Sequence, residues 1–150
     1  MKSLPALAWG DHLLMGHAPM DEIHQEFVDI IGHMQVAGDE QLSALLQAME
    51  VHLQHHFAEE NQWMEHTAFP PRGCHIDEHA AVLKSVAEVR EQLAHGNVAI
   101  CRDLVRALVD WFPGHATHLD SALAHWLFKQ RFDGKPIVLR RNVQSSDTAA

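Results

Sequence analysis

The stretch that decides the fold reads LQHHFAEE and covers residues 53–60. His55 precedes Glu59 by four residues, and His56 precedes Glu60 by four. Residues four apart lie on the same side of a helix, so either pair could offer a nitrogen and a carboxylate oxygen to one metal ion. The fold and the chemistry both depend on which pair faces the interior.

Apolar residues around this stretch decide between the two pairs. A helix advances about 100° per residue, and on that wheel one group of side chains falls within about 60° of a common direction. That group is Leu42, Leu45, Leu46, Met49, Leu53, Phe57, Trp63 and Met64. Glu60 lies at its centre and His56 about 40° away, whereas His55 and Glu59 lie roughly 140° and 100° away, and His52 lies at the edge near ~80°. We therefore predict that His56 and Glu60 face the core and that His55 and Glu59 form a solvent-facing pair.

Composition places the chain among folded single-domain proteins. It has 150 residues, 47% of them hydrophobic, which suits one domain with a sizeable core. A formal net charge of −9 argues against nucleic acid or an anionic membrane as a partner, although basic residues gather in the C-terminal part, which we interpret as a solvated tail. No apolar run is long enough to cross a bilayer, and none resembles a secretory signal, so we predict a cytoplasmic protein.

Histidine usage is the unusual feature of the composition. There are 14 histidines and no tyrosine, which removes a tyrosyl radical or a tyrosine proton donor from consideration. The two cysteines, Cys74 and Cys101, are too few for a disulfide framework and form no CxxC motif. We expect them to be unreactive thiols.

Apolar periodicity predicts four helices and no strand. We expect an N-terminal arm at 1–18, helices at about 19–37, 40–66, 75–95 and 98–130, and a polar C-terminal tail at 131–150. The prolines and glycine of TAFPPRGC, residues 67–74, predict a loop, and Pro113–Gly114 predicts a defect in the last helix. Four amphipathic helices with short connections predict an all-α, up-down-up-down antiparallel four-helix bundle over residues 19–130.

Further histidines fall on the core-facing stripes of the other helices. His24 aligns with the stripe of the first helix, His75 and His79 with that of the third, and His115 with that of the fourth. One such histidine is usually a hydrogen-bonded core residue. Burying all of these groups and Glu60 without partners would cost several kcal/mol each, and metal ligation is the usual way to satisfy such a core.

Another ligand could come from Asp120 or from His118. In a regular helix Asp120 lies about 140° from His115, and His118 lies about 60° from it, so regular geometry favours His118. The preceding Pro-Gly pair loosens the backbone, and a π-bulge near residues 115–120 would instead bring Asp120 onto the same face. The residues alone leave both alternatives open.

The sequence at this point resembles the hemerythrin-like family, most closely its bacterial single-domain members. The family carries the pattern H…HxxxE…HxxxH…HxxxxD on a four-helix bundle, and this chain fills its seven positions with His24, His56, Glu60, His75, His79, His115 and Asp120. Further matches are MDEIH at 20–24, HFAEE at 56–60 and FP at 69–70, and the resemblance covers about residues 9–127. The resemblance favours Asp120 over His118.

The resemblance implies a cofactor of two non-heme iron ions with a bridging oxo or hydroxo group. Glu60 and Asp120 would bridge the irons. His75, His79 and His115 would complete one iron, whereas His24 and His56 would hold the other and leave one position open for O2. The residues expected to line the O2 pocket are Phe27, Phe57, Trp111 and Phe112.

We therefore expect a non-enzymatic protein that carries, stores or delivers O2. Nitric oxide and small anions such as azide are further expected ligands, and no protein partner is indicated. One alternative is an O2 or redox sensor. Another is a di-iron enzyme for nitric oxide or peroxide detoxification, or for iron–sulfur repair.

Overall fold

The computed structural model describes residues 7–131, so most of the predicted C-terminal tail and the start of the predicted arm lie outside the described residues. Its helices are α1 (Ala18–Val36), α2 (Leu42–His66), α3 (Arg72–Ala94), α4 (Val98–Gly114) and α5 (Ser121–Arg131), with a π-helical segment at His115–Asp120 between α4 and α5. Short 3-10 turns occupy Asp11–Leu13 and Asp39–Gln41. Residues 7–131 contain no strand.

The predicted all-α four-helix bundle is confirmed. Helix α4, the π-helical segment and α5 form one continuous rod, because Gly114, His115 and Ser121 all have helical backbone angles. This rod is the fourth helix of the bundle. Helix α1 packs against α2 and α4, α2 packs against α3, and α3 packs against α4. No helix within residues 7–131 is long and apolar enough to span a membrane.

The junction between the arm and α1 is held by hydrogen bonds. The ring of His17 caps α1 by accepting from the backbone N–H of Met20 at 3.3 Å. The carboxylate of Asp21 accepts from the backbone N–H groups of Met15 and Gly16 at 2.7 and 3.2 Å. Gly16 has φ +82°, which favours glycine at this turn. The chain therefore enters α1 in a fixed direction.

The loop after α2 is shorter than predicted. Helix α3 begins at Arg72 rather than near residue 75, so the Arg72–Cys74 part of the predicted loop is helical. Pro71 stands at the N-cap, where the missing N–H costs no helical hydrogen bond. The prolines thus end the preceding loop and allow the helix to start at once. Helix α2 itself begins at Leu42, directly after the 3-10 turn at Asp39–Gln41.

The predicted defect at Pro113–Gly114 does not break the last rod. Pro113 lies inside α4, and Gly114 keeps φ −66° and ψ −44°. The hydroxyl of Thr117 donates to the carbonyl of Pro113 at 2.8 Å. Beyond that point the helix widens: the N–H of Ser121 bonds to the carbonyl of Ala116, five residues earlier. The structure therefore has a π-helical turn where the sequence allowed one.

Two apolar clusters divide the core. The larger one fills most of the bundle, and the smaller one consists of Met20, Met64, Phe69, Leu123 and Ala124. Along α1 the smaller cluster contributes Met20 and the larger one begins at Phe27, so His24 lies between them. Along α2 the order is reversed, and His56 and Glu60 lie between Leu53 of the larger cluster and Met64 of the smaller one. A polar layer therefore separates the two clusters.

Candidate metal centre

The polar layer consists of seven buried side chains. They are the buried polar or charged residues among those the structure describes, and each is at most 4% exposed: His24, His56, Glu60, His75, His79, His115 and Asp120. These are the seven residues of the sequence pattern. Each of the four rods contributes at least one of them, so the bundle itself brings them together.

The stretch at 53–60 has the orientation that the helical wheel predicts. His56 and Glu60 are buried at 2% and 0% exposure. His55 is exposed and Glu59 is partly exposed. The predicted orientation of the two pairs is confirmed.

Of Asp120 and His118, the side chain that faces the core is that of Asp120, because of the π-helical segment. Asp120 is fully buried, and its Oδ1 lies 3.2 Å from Nε2 of His115. His118 is exposed. In a regular helix the residues three and four positions after His115 would share its face. The wider π-helical turn brings the fifth residue, Asp120, onto that face instead.

One half of the centre is formed by two histidines. Nε2 of His24 lies 3.2 Å from Oε2 of Glu60 and 2.9 Å from Oδ2 of Asp120. Nε2 of His56 lies 3.0 Å from the same Oε2 of Glu60. We call these side chains the two-histidine half.

The other half is formed by three histidines. Oε1 of Glu60 lies 3.2 Å from Nε2 of His79 and 3.7 Å from Nε2 of His75. Oδ1 of Asp120 lies 2.9 Å from Nε2 of His75 and 3.2 Å from Nε2 of His115. We call these side chains the three-histidine half. Glu60 and Asp120 each turn one oxygen to each half, so both carboxylates are shared.

The donor atoms fit two metal ions. In each half one nitrogen or oxygen from every member lies within 4.8 Å of the others. Ligands bound to one ion at about 2.0–2.2 Å and at right angles lie about 3 Å apart, which matches most of the observed separations. Several of these buried atoms also have no hydrogen-bond partner in the described part of the chain: Glu60 Oε1, His79 Nε2, His115 Nε2 and Asp120 Oδ2. Unpartnered buried polar atoms are costly, and metal ligation would satisfy them.

In the metal-free centre, the neighbouring histidines favour the ionised form of both carboxylates. Burial alone would raise the pKa of Glu60, but the neighbouring His56 and hydrogen bonds from histidines hold the pKa of that carboxyl well below its ordinary value. Burial and the charge of Glu60 would raise the pKa of Asp120, yet close contacts with His115, His24 and His75 lower it. Both carboxylates are therefore ionised at neutral pH, as metal ligation requires.

Burial and the two carboxylates shift the pKa values of the histidines in different directions. Burial opposes protonation of His24, but contacts with Asp120 and Glu60 outweigh burial and raise the pKa of His24 to about 9. The pKa of His115 is also raised, because the contact with Asp120 outweighs burial. Burial prevails at His79 and lowers its pKa. The metal-free centre therefore carries protons that an incoming cation must displace.

Two ligand candidates of the three-histidine half have polar neighbours outside the seven, but only His79 is hydrogen-bonded to its neighbour. Nδ1 of His79 lies 2.8 Å from Oδ1 of Asn61. Nδ1 of His115 lies 3.5 Å from Oε2 of Glu78, an oxygen that also accepts from the indole N–H of Trp111 at 2.7 Å. Neither Asn61 nor Glu78 was predicted from the sequence. Their one signal is that each polar residue adjoins a residue of the ligand pattern, at Glu60 and His79.

Three of the four aromatic residues of the predicted O2 pocket contact ligand candidates directly, and Phe27 packs behind Phe112. Phe112 and Phe27 pack together at 4.5 Å between ring centres, and Phe112 lies 5.2 Å from the ring of His24. Phe57 reaches both halves, stacking on His79 at 4.0 Å and lying 5.0 Å from His56.

Trp111 belongs to the three-histidine side, since its ring lies 4.4 Å from that of His115. Phe27, Phe57 and Phe112 are essentially fully buried, whereas Trp111 is partly exposed. The apolar wall beside the two-histidine half is therefore made chiefly by Phe27 and Phe112.

Comparison with known proteins points to one family. The hemerythrin HHE cation-binding domain matches residues 15–127. The chain is 36% identical over 132 residues to a bacteriohemerythrin of Ralstonia nicotianae, with 88% of this chain and 96% of the relative covered. It is 28% identical over 122 residues to a bacteriohemerythrin of Stenotrophomonas maltophilia, with 79% of each chain covered.

Proposed function

This chain belongs to the hemerythrin family, and on that premise we propose that it binds O2 reversibly at a pair of non-heme irons. The protein would act as an oxygen carrier, store or delivery protein and not as an enzyme. The seven residues of the polar layer would be the metal ligands, and a bridging oxo or hydroxo group would complete the iron pair. The functional unit would be the bundle at 19–130.

The unequal ligand count of the two halves carries this proposal. The three-histidine half offers five side chains to its ion, and the two-histidine half offers four. A six-coordinate ion with a shared bridging group is complete in the first case and has one open position in the second. When bound, the iron pair supplies reversible O2 binding at that position.

The side chains around the open position favour binding without further reaction. Phe27 and Phe112 are fully buried beside His24, so they keep water away from the two-histidine half. The centre contains two carboxylates and five imidazoles, which would be neutral donors once a metal displaces their protons. Donors of that kind suit iron among other transition metals, and the greater share of neutral ligands favours the reduced ions.

A reversibility experiment tests the proposal. The protein is reconstituted anaerobically with ferrous iron, exposed to O2 and then returned to an O2-free atmosphere while its visible spectrum is recorded. A charge-transfer band should appear with O2 and disappear when the gas is removed, over several cycles. Protein loaded with zinc is the matched control, since it should fill the same ligands and show no band.

Other outcomes would contradict the proposal. One-way conversion to an oxidised form would indicate a sensor or an enzyme. A content other than two irons per chain, with no band, would remove the di-iron centre altogether. Nitric oxide and azide are expected to compete for the open position, and either can be titrated in the same spectrum.

A further inference from the structure

One more histidine lies next to the two-histidine half and has no place in the ligand set. His52 precedes His56 by one helical turn on α2, and the side chain is 8% exposed. Its ring lies 5.2 Å from that of His56 in an edge-on arrangement and 6.3 Å from that of Phe27. His52 thus stands between a ligand candidate and the apolar wall.

The two ring nitrogens of His52 have different surroundings. Nδ1 faces outward, 3.5 Å from Oε1 of Glu26, whose side chain is 68% exposed. That separation is longer than an N–H···O hydrogen bond, so it leaves either nitrogen free to carry the proton. Nε2 is buried and has no hydrogen-bond partner among residues 7–131. An unpartnered buried nitrogen of this kind needs an explanation.

Metal ligation does not provide that explanation. The two sets of side chains whose donor atoms converge include His24 and His56 but not His52. The ring of His52 is only 8% exposed, and burial disfavours the charged imidazolium, so the ring is best accommodated in its neutral form with a single N–H. A neutral N–H inside an apolar wall is suited to donate to a ligand rather than to bind a cation.

We propose that Nε2 of His52 donates a hydrogen bond to a small anion or diatomic molecule bound beside His24 and His56. His52 would be a positioning residue, because it would act on the bound ligand and not on the metal. It would add one polar contact to a pocket that Phe27 and Phe112 otherwise make apolar, and so favour ligands with an accepting atom. The inference rests on the proposed function, since it needs the iron pair.

Azide binding to the oxidised di-iron protein tests the inference without relying on O2 chemistry. His52→Leu should keep two irons per chain and weaken azide binding roughly fivefold to tenfold, as expected for the loss of one hydrogen bond. The infrared stretching band of bound azide should also move in this variant. His55→Leu is the matched control: it removes the adjacent, exposed histidine and should leave both readings unchanged.

A conservative variant separates hydrogen bonding from packing. His52→Gln can place an amide N–H near the position of Nε2, so it should recover most of the azide affinity that His52→Leu loses. Azide affinity within twofold of the wild type in His52→Leu would overturn the inference, and so would equal losses in the leucine and glutamine variants. If His52→Leu does not fold, His52→Met removes the N–H with a more adaptable side chain and carries the same test.

Iron content distinguishes a failure of the proposed function from a failure of the role proposed for His52. Wild-type protein that does not hold an iron pair fails the proposed function itself. Wild-type protein with an iron pair, together with an apolar His52 variant that folds but loses iron, would place His52 in the ligand set and overturn the positioning role.

Discussion

The two halves of the metal centre differ in what holds their histidines in place. In the three-histidine half, the outer nitrogen of His79 is hydrogen-bonded to Asn61, and that of His115 lies 3.5 Å from a carboxylate oxygen of Glu78. The outer nitrogens of His75 and His115 have no hydrogen-bond partner within residues 7–131. In the two-histidine half, the outer nitrogens of His24 and His56 have no hydrogen-bond partner within residues 7–131. There the rings are held by packing against aromatic neighbours.

This difference matches the roles that we propose for the two ions. Hydrogen bonds to the outer nitrogen of a ligating histidine fix its tautomer and ring orientation, and they strengthen metal binding. A half whose coordination is complete benefits from such fixing. A half that must admit and release a ligand benefits from packing, which allows small ring movements.

The largest expected effect comes from removing what the two halves share. Glu60→Ala deletes the carboxylate that turns one oxygen to each half, so both ions lose a ligand. We expect the purified variant to hold few or no irons, whereas wild-type protein should hold two. Iron content per chain and the visible spectrum measure this.

Glu59→Ala is the matched control, because Glu59 precedes Glu60 and points away from the centre. It should retain the iron pair. Similar iron content in the two variants would refute the bridging role of Glu60, and a variant that keeps one iron would show that the halves do not share this carboxylate equally.

The metal-free protein should show the second effect, a dependence of stability on pH. The pKa of His24 is raised from 6.5 to about 9 in the folded protein. A raised pKa contributes stability that is fully present below pH 6.5, the unfolded value, and is lost as pH rises to about 9. At about 1.4 kcal/mol per pKa unit, the free energy of unfolding should fall by a few kcal/mol across that window, measured by urea unfolding.

Between pH 6.5 and about 9, only the groups with a raised pKa contribute to this change in stability. The lowered pKa values of His79, His52, Glu60 and Asp120 affect stability only at lower pH. His24→Gln should flatten much of the dependence, with His115 accounting for the remainder. Metal-loaded protein should show far less of it. An unchanged slope in His24→Gln would mean that His24 is not protonated in the metal-free protein.

The helical wheel predicts orientation well where the helix is regular. His56 and Glu60 were placed inward and His55 and Glu59 outward from the apolar stripe alone, and the structure agrees. Asp120 shows the limit of that method. A regular helix places it off the face of His115, so its inward orientation depends on a π-helical turn that the Pro-Gly pair permits but does not require.

Side-chain contacts between neighbouring helices could not be predicted from the sequence. The wheel says which direction Asn61 and Glu78 leave their helices, but their contacts with His79 and His115 depend on side-chain conformation and on the spacing between rods. The start of α3 at Arg72 was missed for a related reason. Two prolines predict a loop, yet a proline just before a helix costs nothing there, and only packing fixes which residue begins the helix.

The smallest expected effect tests the polar neighbours of the outer histidine nitrogens in the three-histidine half. Asn61→Ala and Glu78→Ala should leave two irons in the fresh protein but weaken metal binding, by about tenfold for Asn61→Ala and by less for Glu78→Ala, because His79 loses a hydrogen bond whereas His115 loses only a carboxylate 3.5 Å away. A chelator that colours on binding iron can follow release over time. We expect one of the two irons to leave faster in each variant and the other to leave at the wild-type rate.

Exposed neighbours provide the controls for this last experiment. Gln62→Ala and Asp77→Ala change the residue beside Asn61 or Glu78 at positions that face solvent. They should release both irons at wild-type rates. Equal acceleration of both irons in the Asn61 and Glu78 variants would mean that the two halves respond as one unit. The polar neighbours of the outer nitrogens, which only the three-histidine half has, would then have no consequence for metal retention.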